Sequence, residues 1–468
     1  MPTPPPQTTK CPRQARPFIA LVIALVALAA RSPGAQSSSW LDPYREPAAR
    51  LIAESQSSPF AWERLALLGD TFGHRLSGSE GLANAITWAA AEMKKDGLDN
   101  VRTEPVKVPH WVRGQESAEI TSPHRSPLAM LGLGNSVGTP PDGVEADVLV
   151  VRTFAELDAA GASARGRIVL FNVPFTTYGE TVQYRAAGPS RAAAVGAVAM
   201  LIRAVGPPGL RTPHTGSLRY AEGSPQIPAA AISVEDADRL QRMQNRGTKV
   251  RVRLKMEAKF LPDADSANVI GEIRGRERPD EVVVVSGHFD SWDVGTGSTD
   301  DGGGCVVTWE ALRLMKKLNL RPRRTVRVVL FTNEENGLAG GRAYLERYRS
   351  QLESHVLMLE SDSGVFRPTG FGFTGTTTAR ETLQQIAGLL RGIQADTIGP
   401  SGGGADIGPS VEAGQLPAMS LEVEGNYFLI HHTQADTVDK IDPADMAKAS
   451  AAIAVMAYVV ADMPARLK

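Results

Sequence analysis

The chain has 468 residues, with 50 Lys+Arg against 51 Asp+Glu, a formal net charge of −1, and 42% hydrophobic and 22% charged residues. That balance lacks the basic excess that phosphate binding needs, so it argues against nucleic acid as a partner and against a polybasic membrane patch. At roughly 150 residues per domain the length corresponds to two to three domains, and an ordinary apolar fraction over that length buries a large core, which excludes disorder over most of the chain.

Residues 1–35 read as a signal peptide. Lys10, Arg13 and Arg16, with no acid among them, precede an unbroken apolar run at 18–30, after which the sequence turns small and polar. A run of about 13 residues is too short for a hydrocarbon core of ~30 Å, which takes roughly 20. The expectation is export, to a periplasm or out of the cell, with no stable membrane span once the leader is removed. Removal fits after Ala29 or after Ala35, and an uncleaved N-terminal anchor is the alternative. Cys11 precedes the apolar run, so it is not placed for lipid attachment. Loss of the leader leaves Cys305 as the only cysteine, so the core rather than a disulfide must hold the mature chain.

Beyond the leader, residues 44–56 and 79–95 have helical apolar spacing, the second opening at Ser77-Gly78-Ser79-Glu80, and 101–108 alternates as a strand does. From 109 to 260 the texture changes. Pro and Gly punctuate short Val/Ala/Ile runs at 146–151, 166–171, 194–202 and 227–232, which predicts a separate β-rich unit. From Ser266 onward strands and helices alternate. The apolar runs 281–286, 325–332, 355–360 and 417–423 are continuous, as in a parallel sheet covered on both faces. Val307, Ala311, Leu314, Met315 and Leu318 form the stripe of a helix lying on such a sheet. The fold class is α/β.

Each predicted strand is followed by acids or imidazoles. The first leads to Gly287-His288-Phe289-Asp290 and then Asp300-Asp301-Gly302-Gly303-Gly304. The second leads to Asn333-Glu334-Glu335-Asn336, the third to Ser361-Asp362-Ser363, and the last to His431-His432-Thr433-Gln434-Ala435-Asp436-Thr437. Any one of these alone is ordinary turn or helix-start chemistry. Their coincidence at successive strand ends, where open α/β sheets bind ligands, points to a metal site. So many carboxylates in one place repel one another unless one or two divalent cations sit among them. Imidazole with carboxylate and no thiolate suits zinc, with manganese or cobalt next, whereas magnesium and calcium prefer oxygens alone.

The motif His288-Phe289-Asp290-Ser291-Trp292-Asp293-Val294-Gly295, with Asp300-Asp301-Gly302-Gly303-Gly304, Glu334-Glu335, Asp362, Gly403-Gly404-Ala405-Asp406 and His431-His432, resembles the M28 zinc peptidases, and within them a branch acting on dipeptides with free ends. The resemblance implies a zinc-exopeptidase fold, a mostly parallel mixed sheet with helices on both faces, formed by residues 36–108 and 261–468. It also implies an inserted β-rich, protease-associated-like domain at 109–260. It implies two zinc ions per chain, one held by His288, Asp300 and Asp362 and the other by Asp300, Glu335 and His432. Asp300 is preferred to Asp301 because the family's bridging Asp is followed by one residue and then a small one. His432 is preferred to His431 because the family's ligand stands four residues before an Asp-Thr pair.

In the same reading Asp290 orients the His288 imidazole, a role with its own physical reason, since metal-bound histidines usually donate their other N–H to a carboxylate. Glu334 is the general base, and His431 or Tyr427 the oxyanion donor. The implied protein is an exported two-zinc exopeptidase of small peptides and a homodimer. The alternatives are a general aminopeptidase of the family, a one-zinc glutaminyl cyclase, and a non-enzymatic, receptor-like member. His74, His110, His124 and His214 read as surface residues, and Cys305 as a buried inert thiol.

Overall fold

The computed structural model describes residues 39–467, so the leader expected at 1–35 lies outside the described residues. One eight-stranded sheet carries the acid-rich strand ends. Its order is Asp99–Val112, Lys259–Ile273, Arg324–Phe331, Arg278–His288, His355–Glu360, Ala418–Glu424, Arg367–Thr374 and Thr397–Gly399. The four central strands run parallel, and Lys259–Ile273 and Arg367–Thr374 join them antiparallel, one on each side. This is the mostly parallel mixed sheet expected.

Continuous valine runs make sense here because both faces are covered. Val282 and Val284 pack with Val329, Phe331, Met358, Tyr344 and Tyr348 beneath the Ala339–Tyr348 helix. Val283 and Val285, pointing the other way by the two-residue repeat of a strand, face the side covered by the Gly303–Lys317 and Pro443–Asp462 helices. The second of these is long and apolar enough to cross a membrane by composition, but 83% of its most apolar window is buried in the fold, which makes it a core helix. The Phe60–Phe72 helix packs against it and against the start of the Gly303–Lys317 helix.

The second eight-stranded sheet is built from residues 116–256. The chain reaches it along Asp99–Val112 and returns along Lys259–Ile273, two strands that pair antiparallel from Asp99↔Glu272 to Val112↔Lys259. To the β-rich unit expected from the sequence the structure adds helices. Four of its strands, Val144–Val151, Ile168–Phe171, Ala199–Arg203 and Ala229–Ile232, run parallel; the Phe154–Ala160 helix lies between the first two, the Tyr178–Ala194 helix between the second and third, and the Val234–Asn245 helix follows the last. The Tyr178–Ala194 helix contains Gly188 and Pro189, which disguise it as turn-rich sequence. It starts at a Thr177 cap that accepts the Glu180 N–H at 3.3 Å.

Candidate metal centre

His288 is the last residue of its strand and stands in register with Phe331, the last residue of the next. The loops leaving both strands therefore begin at one level of the sheet, and Asp362 follows the end of His355–Glu360 on the same edge. His288 Nε2 lies 3.1 Å from Asp300 Oδ1 and 3.4 Å from Asp362 Oδ1. His432 Nε2 lies 3.1 Å from Asp300 Oδ2 and 3.0 Å from Glu335 Oε2. Asp300 thus turns one oxygen toward each cluster.

The neighbouring Asp301, joined to Asp300 by a cis peptide bond, is occupied elsewhere. Its Oδ2 accepts the His288 N–H at 3.0 Å and its Oδ1 the Gly304 N–H at 3.1 Å. The glycine run permits this close packing, since a Cβ on Gly304 would stand 1.9 Å from the Ser361 carbonyl.

The expected role of Asp290 is corrected in its atoms. His288 Nδ1 donates to the main-chain carbonyl of Asp290 at 3.0 Å, while the carboxylate stands 4.0 Å away. That carboxylate instead accepts the N–H of Glu334 at 3.0 Å and of Glu335 at 3.3 Å. Asp290 therefore orients His288 through its backbone and the Glu334-Glu335 pair through its side chain.

Burial and crowding dominate the electrostatics. Burial, aided by Asp300, pushes Glu335 up to about 7. Glu334 is raised well above the usual carboxylate range by burial, Asp362 and Glu335. Burial would raise Asp300 too, but hydrogen bonds with His288 and His432 hold it well below that range. Despite their burial, His288 and His432 are raised well above the usual imidazole value by the acids around them. Among the described residues the imidazoles are the main groups that offset these carboxylates. Asp300 Oδ2, Glu335 Oε1 and Asp362 Oδ1 are buried and, among the described residues, receive no well-aligned hydrogen bond, although imidazole Nε2 atoms stand 3.1 Å from the first and 3.4 Å from the third. Unpaired buried oxygens beside imidazole nitrogens are a donor set that fits divalent cations.

His431 and Tyr427 lie beside this cluster. The His431 ring stacks on His432 at 3.5 Å, with Nε2 3.6 Å from Asp300 Oδ2. Burial, together with Asp300 and Asp362, holds the Tyr427 hydroxyl well above its ordinary value, so it stays protonated. Both border a cleft of about 1260 Å³ that Glu334, Asp362, Arg185 and Arg219 also line.

Several residues that position the site do not stand out in the sequence. Arg75, fully buried, donates to the carbonyls of Phe289, Thr296 and Gly297 at 2.7–2.8 Å and fixes the loop between His288 and Asp300. Asp436, which the sequence offered only as a marker four residues after His432, accepts the N–H of Thr299 and of Asp300. His214, expected on the surface, is 3% exposed, and burial with the nearby His432 pushes it down to about 3. His110 lies in the Asp99–Val112 strand rather than a loop. Cys305 is buried and free, its thiol pushed well up by burial and Asp301.

Residues 268–457 match the model of peptidase family M28. Carboxypeptidase Q of Mus musculus is 48% identical over 404 residues, 86% of this chain and 86% of that protein, and its Homo sapiens counterpart is 47% identical over 403 residues, 86% of this chain and 85% of that protein. Among solved structures, a peptidase M28 precursor from Shewanella amazonensis superposes with a TM-score of 0.88 at 35% identity, covering 91% of this chain and 98% of that one. The zinc aminopeptidase BSAP of Bacillus subtilis shares the fold with a TM-score of 0.65 at 20% identity, covering 87% of this chain and 96% of that one.

Proposed function

The chain belongs to peptidase family M28, and from that premise we propose that it is an exported exopeptidase that uses two zinc ions to hydrolyse small peptides, foremost dipeptides with free termini. The observation that carries the two-metal reading is Asp300, one oxygen 3.1 Å from His288 and the other 3.1 Å from His432. In this reading His288, Asp300 and Asp362 hold one ion and Asp300, Glu335 and His432 the other. Zinc bound there would acidify a water and polarise the scissile carbonyl.

The protein's own groups do the rest. Glu334, its main chain fixed by Asp290, takes the proton of the attacking water and returns it to the leaving amine. Tyr427 donates its hydroxyl to the carbonyl oxygen as that atom gains charge. His431 is the weaker candidate for this step, since its ring lies stacked on His432 with Nε2 3.6 Å from Asp300 Oδ2.

The preference for free termini rests on the relatives named carboxypeptidase Q and on the cleft walls. Arg219 forms no ion pair among the described residues and can meet a carboxylate, while the acids of the metal edge and Glu422 offer partners for an ammonium. Residues 109–260 are proposed as an insert that forms one wall of that cleft. Export rests on the leader-like composition of 1–35.

The test is a panel of unblocked dipeptides, N-acetylated dipeptides, longer peptides and aminoacyl anilides assayed with zinc-loaded protein, with zinc counted on the same preparation. Two zinc ions per chain and rapid cleavage of unblocked dipeptides alone are expected, because a site built to pair charged ends rejects analogues lacking them. Fast removal of N-terminal residues from long peptides would make it a general aminopeptidase. Saturation at one zinc would favour a cyclase, and no zinc with no hydrolysis a receptor-like protein.

A further inference from the structure

Arg185, on the Tyr178–Ala194 helix of the second sheet, is 4% exposed and forms no ion pair among the described residues. A buried guanidinium without a carboxylate is costly and needs a reason. It donates to the Thr215 carbonyl from Nη1 at 3.2 Å, the Ser217 carbonyl from Nε at 3.3 Å and the Tyr178 hydroxyl from Nη2 at 2.8 Å, and Nη1 also stands 3.4 Å from His432 Nδ1.

Thr215 leads directly to the metal centre. Its N–H donates to the His432 carbonyl at 3.0 Å, and its carbonyl stands 3.4 Å from His432 Nδ1. A ring whose Nε2 faces Asp300 and Glu335 to hold an ion keeps its proton on Nδ1; the Arg185 Nη1 at 3.4 Å has no lone pair to receive it, so the Thr215 carbonyl, also at 3.4 Å, is the acceptor at hand. Thr215 is pinned from the other side as well. Arg113, paired through two bonds with Asp293 in the loop after His288, donates to Thr215 Oγ1 at 3.3 Å, and that hydroxyl donates to the Gly132 carbonyl at 2.7 Å.

Gly216, at φ +125°, completes the arrangement. A Cβ there would stand 2.2 Å from Arg185 Nη1 and 2.7 Å from His432 Nδ1, so no larger residue fits without moving one of them.

We propose that Arg185 is a positioning residue for the metal centre: by fixing the Thr215 carbonyl it holds the His432 ring with Nε2 toward Asp300 and Glu335. The second sheet's unit would then complete the site, supplying through Thr215 what the Asp290 carbonyl supplies to His288. The inference rests on the proposed two-zinc reading. It assigns Arg185 to one ion only, the one held by His432.

The test measures zinc affinity in the full-length protein by competition with a chromophoric chelator, alongside kcat and KM, for wild type, Arg185→Gln, Arg185→Lys, Gly216→Ala and, as a control on the same helix, Arg191→Ala. Arg191 pairs with Asp158 at 2.7 Å. Arg185→Gln should weaken one zinc about 10- to 100-fold, the usual effect of losing a group that orients a ligand, and leave the other unchanged. Its kcat should recover with excess zinc at unaltered KM. Gly216→Ala should weaken the same ion, and Arg191→Ala neither.

Arg185→Lys, which cannot span three acceptors at once, should fall between wild type and Arg185→Gln, and it decides the matter if the Gln variant does not fold. Folded variants with both affinities unchanged would overturn the proposal. So would a rise in KM alone, which would make Arg185 a substrate contact. If wild type bound only one ion, the two-zinc reading would fail, while the effect of Arg185→Gln on that ion would still decide the clamp.

Discussion

The carboxylate of Asp436 holds the backbone of Asp300: Oδ2 accepts the Asp300 N–H at 3.1 Å while Oδ1 accepts that of Thr299 at 2.6 Å. The residue that faces both clusters is thus aimed by another acid more than a hundred positions away in the chain. Asp436→Ala should weaken both zinc ions about 10- to 100-fold, because the group it orients serves both. Chelator competition measures this, and retention of both affinities in a folded variant would show that Asp300 needs no such support.

Glu334→Gln separates a base from a ligand. The change keeps the shape and an oxygen but removes proton acceptance. Activity should fall about 10²- to 10⁴-fold in kcat, with zinc content and KM nearly unchanged, since the loss lies in the transition state. Zinc content and kcat measured on one preparation decide it. A parallel loss of zinc would make Glu334 a ligand.

Tyr427→Phe removes one hydroxyl from the cleft. If that hydroxyl stabilises the developing oxyanion, kcat should drop about 10²- to 10³-fold. His431→Gln should cost much less. The reverse ranking, read from steady-state rates of the two folded variants, would move the donor role to His431.

His355 predicts a pH effect far from the cleft. Its Nδ1 donates to the Gln351 carbonyl at 3.1 Å, so Nε2 must accept from the Tyr344 hydroxyl at 2.9 Å, which in turn receives Arg327 at 3.0 Å. Burial first, then Arg327 and Arg466, push this imidazole down to about 4 from an ordinary 6.5. Between those two values the unfolded chain binds a proton that the folded one does not, so folding stability falls as pH drops through that window. His355→Gln should flatten the slope by up to ~1.4 kcal/mol per pH unit there. Urea unfolding of both proteins across the window checks it, and parallel slopes would refute it.

The central strands were legible because their valine runs are continuous, and the acids after them because each stands within a few residues of a strand end. Choosing Asp300 over Asp301 needed family resemblance, and the structure adds the reason that Asp301 spends both oxygens on N–H groups. Arg75, Arg185 and Thr215 left no local signal. Arg75 donates to a carbonyl 214 positions away and Arg185 stands beside a histidine 247 away, and nothing in the neighbouring residues encodes such contacts. The Tyr178–Ala194 helix was lost among Gly and Pro. The Pro443–Asp462 helix was passed over because it is apolar nearly all round and so lacks the one-sided stripe that marks a surface helix.

In chain order that helix follows every strand of the sheet it covers. During synthesis, the part of this sheet face that the Gly303–Lys317 helix leaves uncovered therefore stays open to water until residues 443–462 have emerged. His432 precedes that helix, so all the proposed metal donors exist in a chain whose core cannot yet close. A nascent or truncated chain stopping before Pro443 would expose that apolar face to other copies of itself, a route to aggregation rather than to a smaller working enzyme.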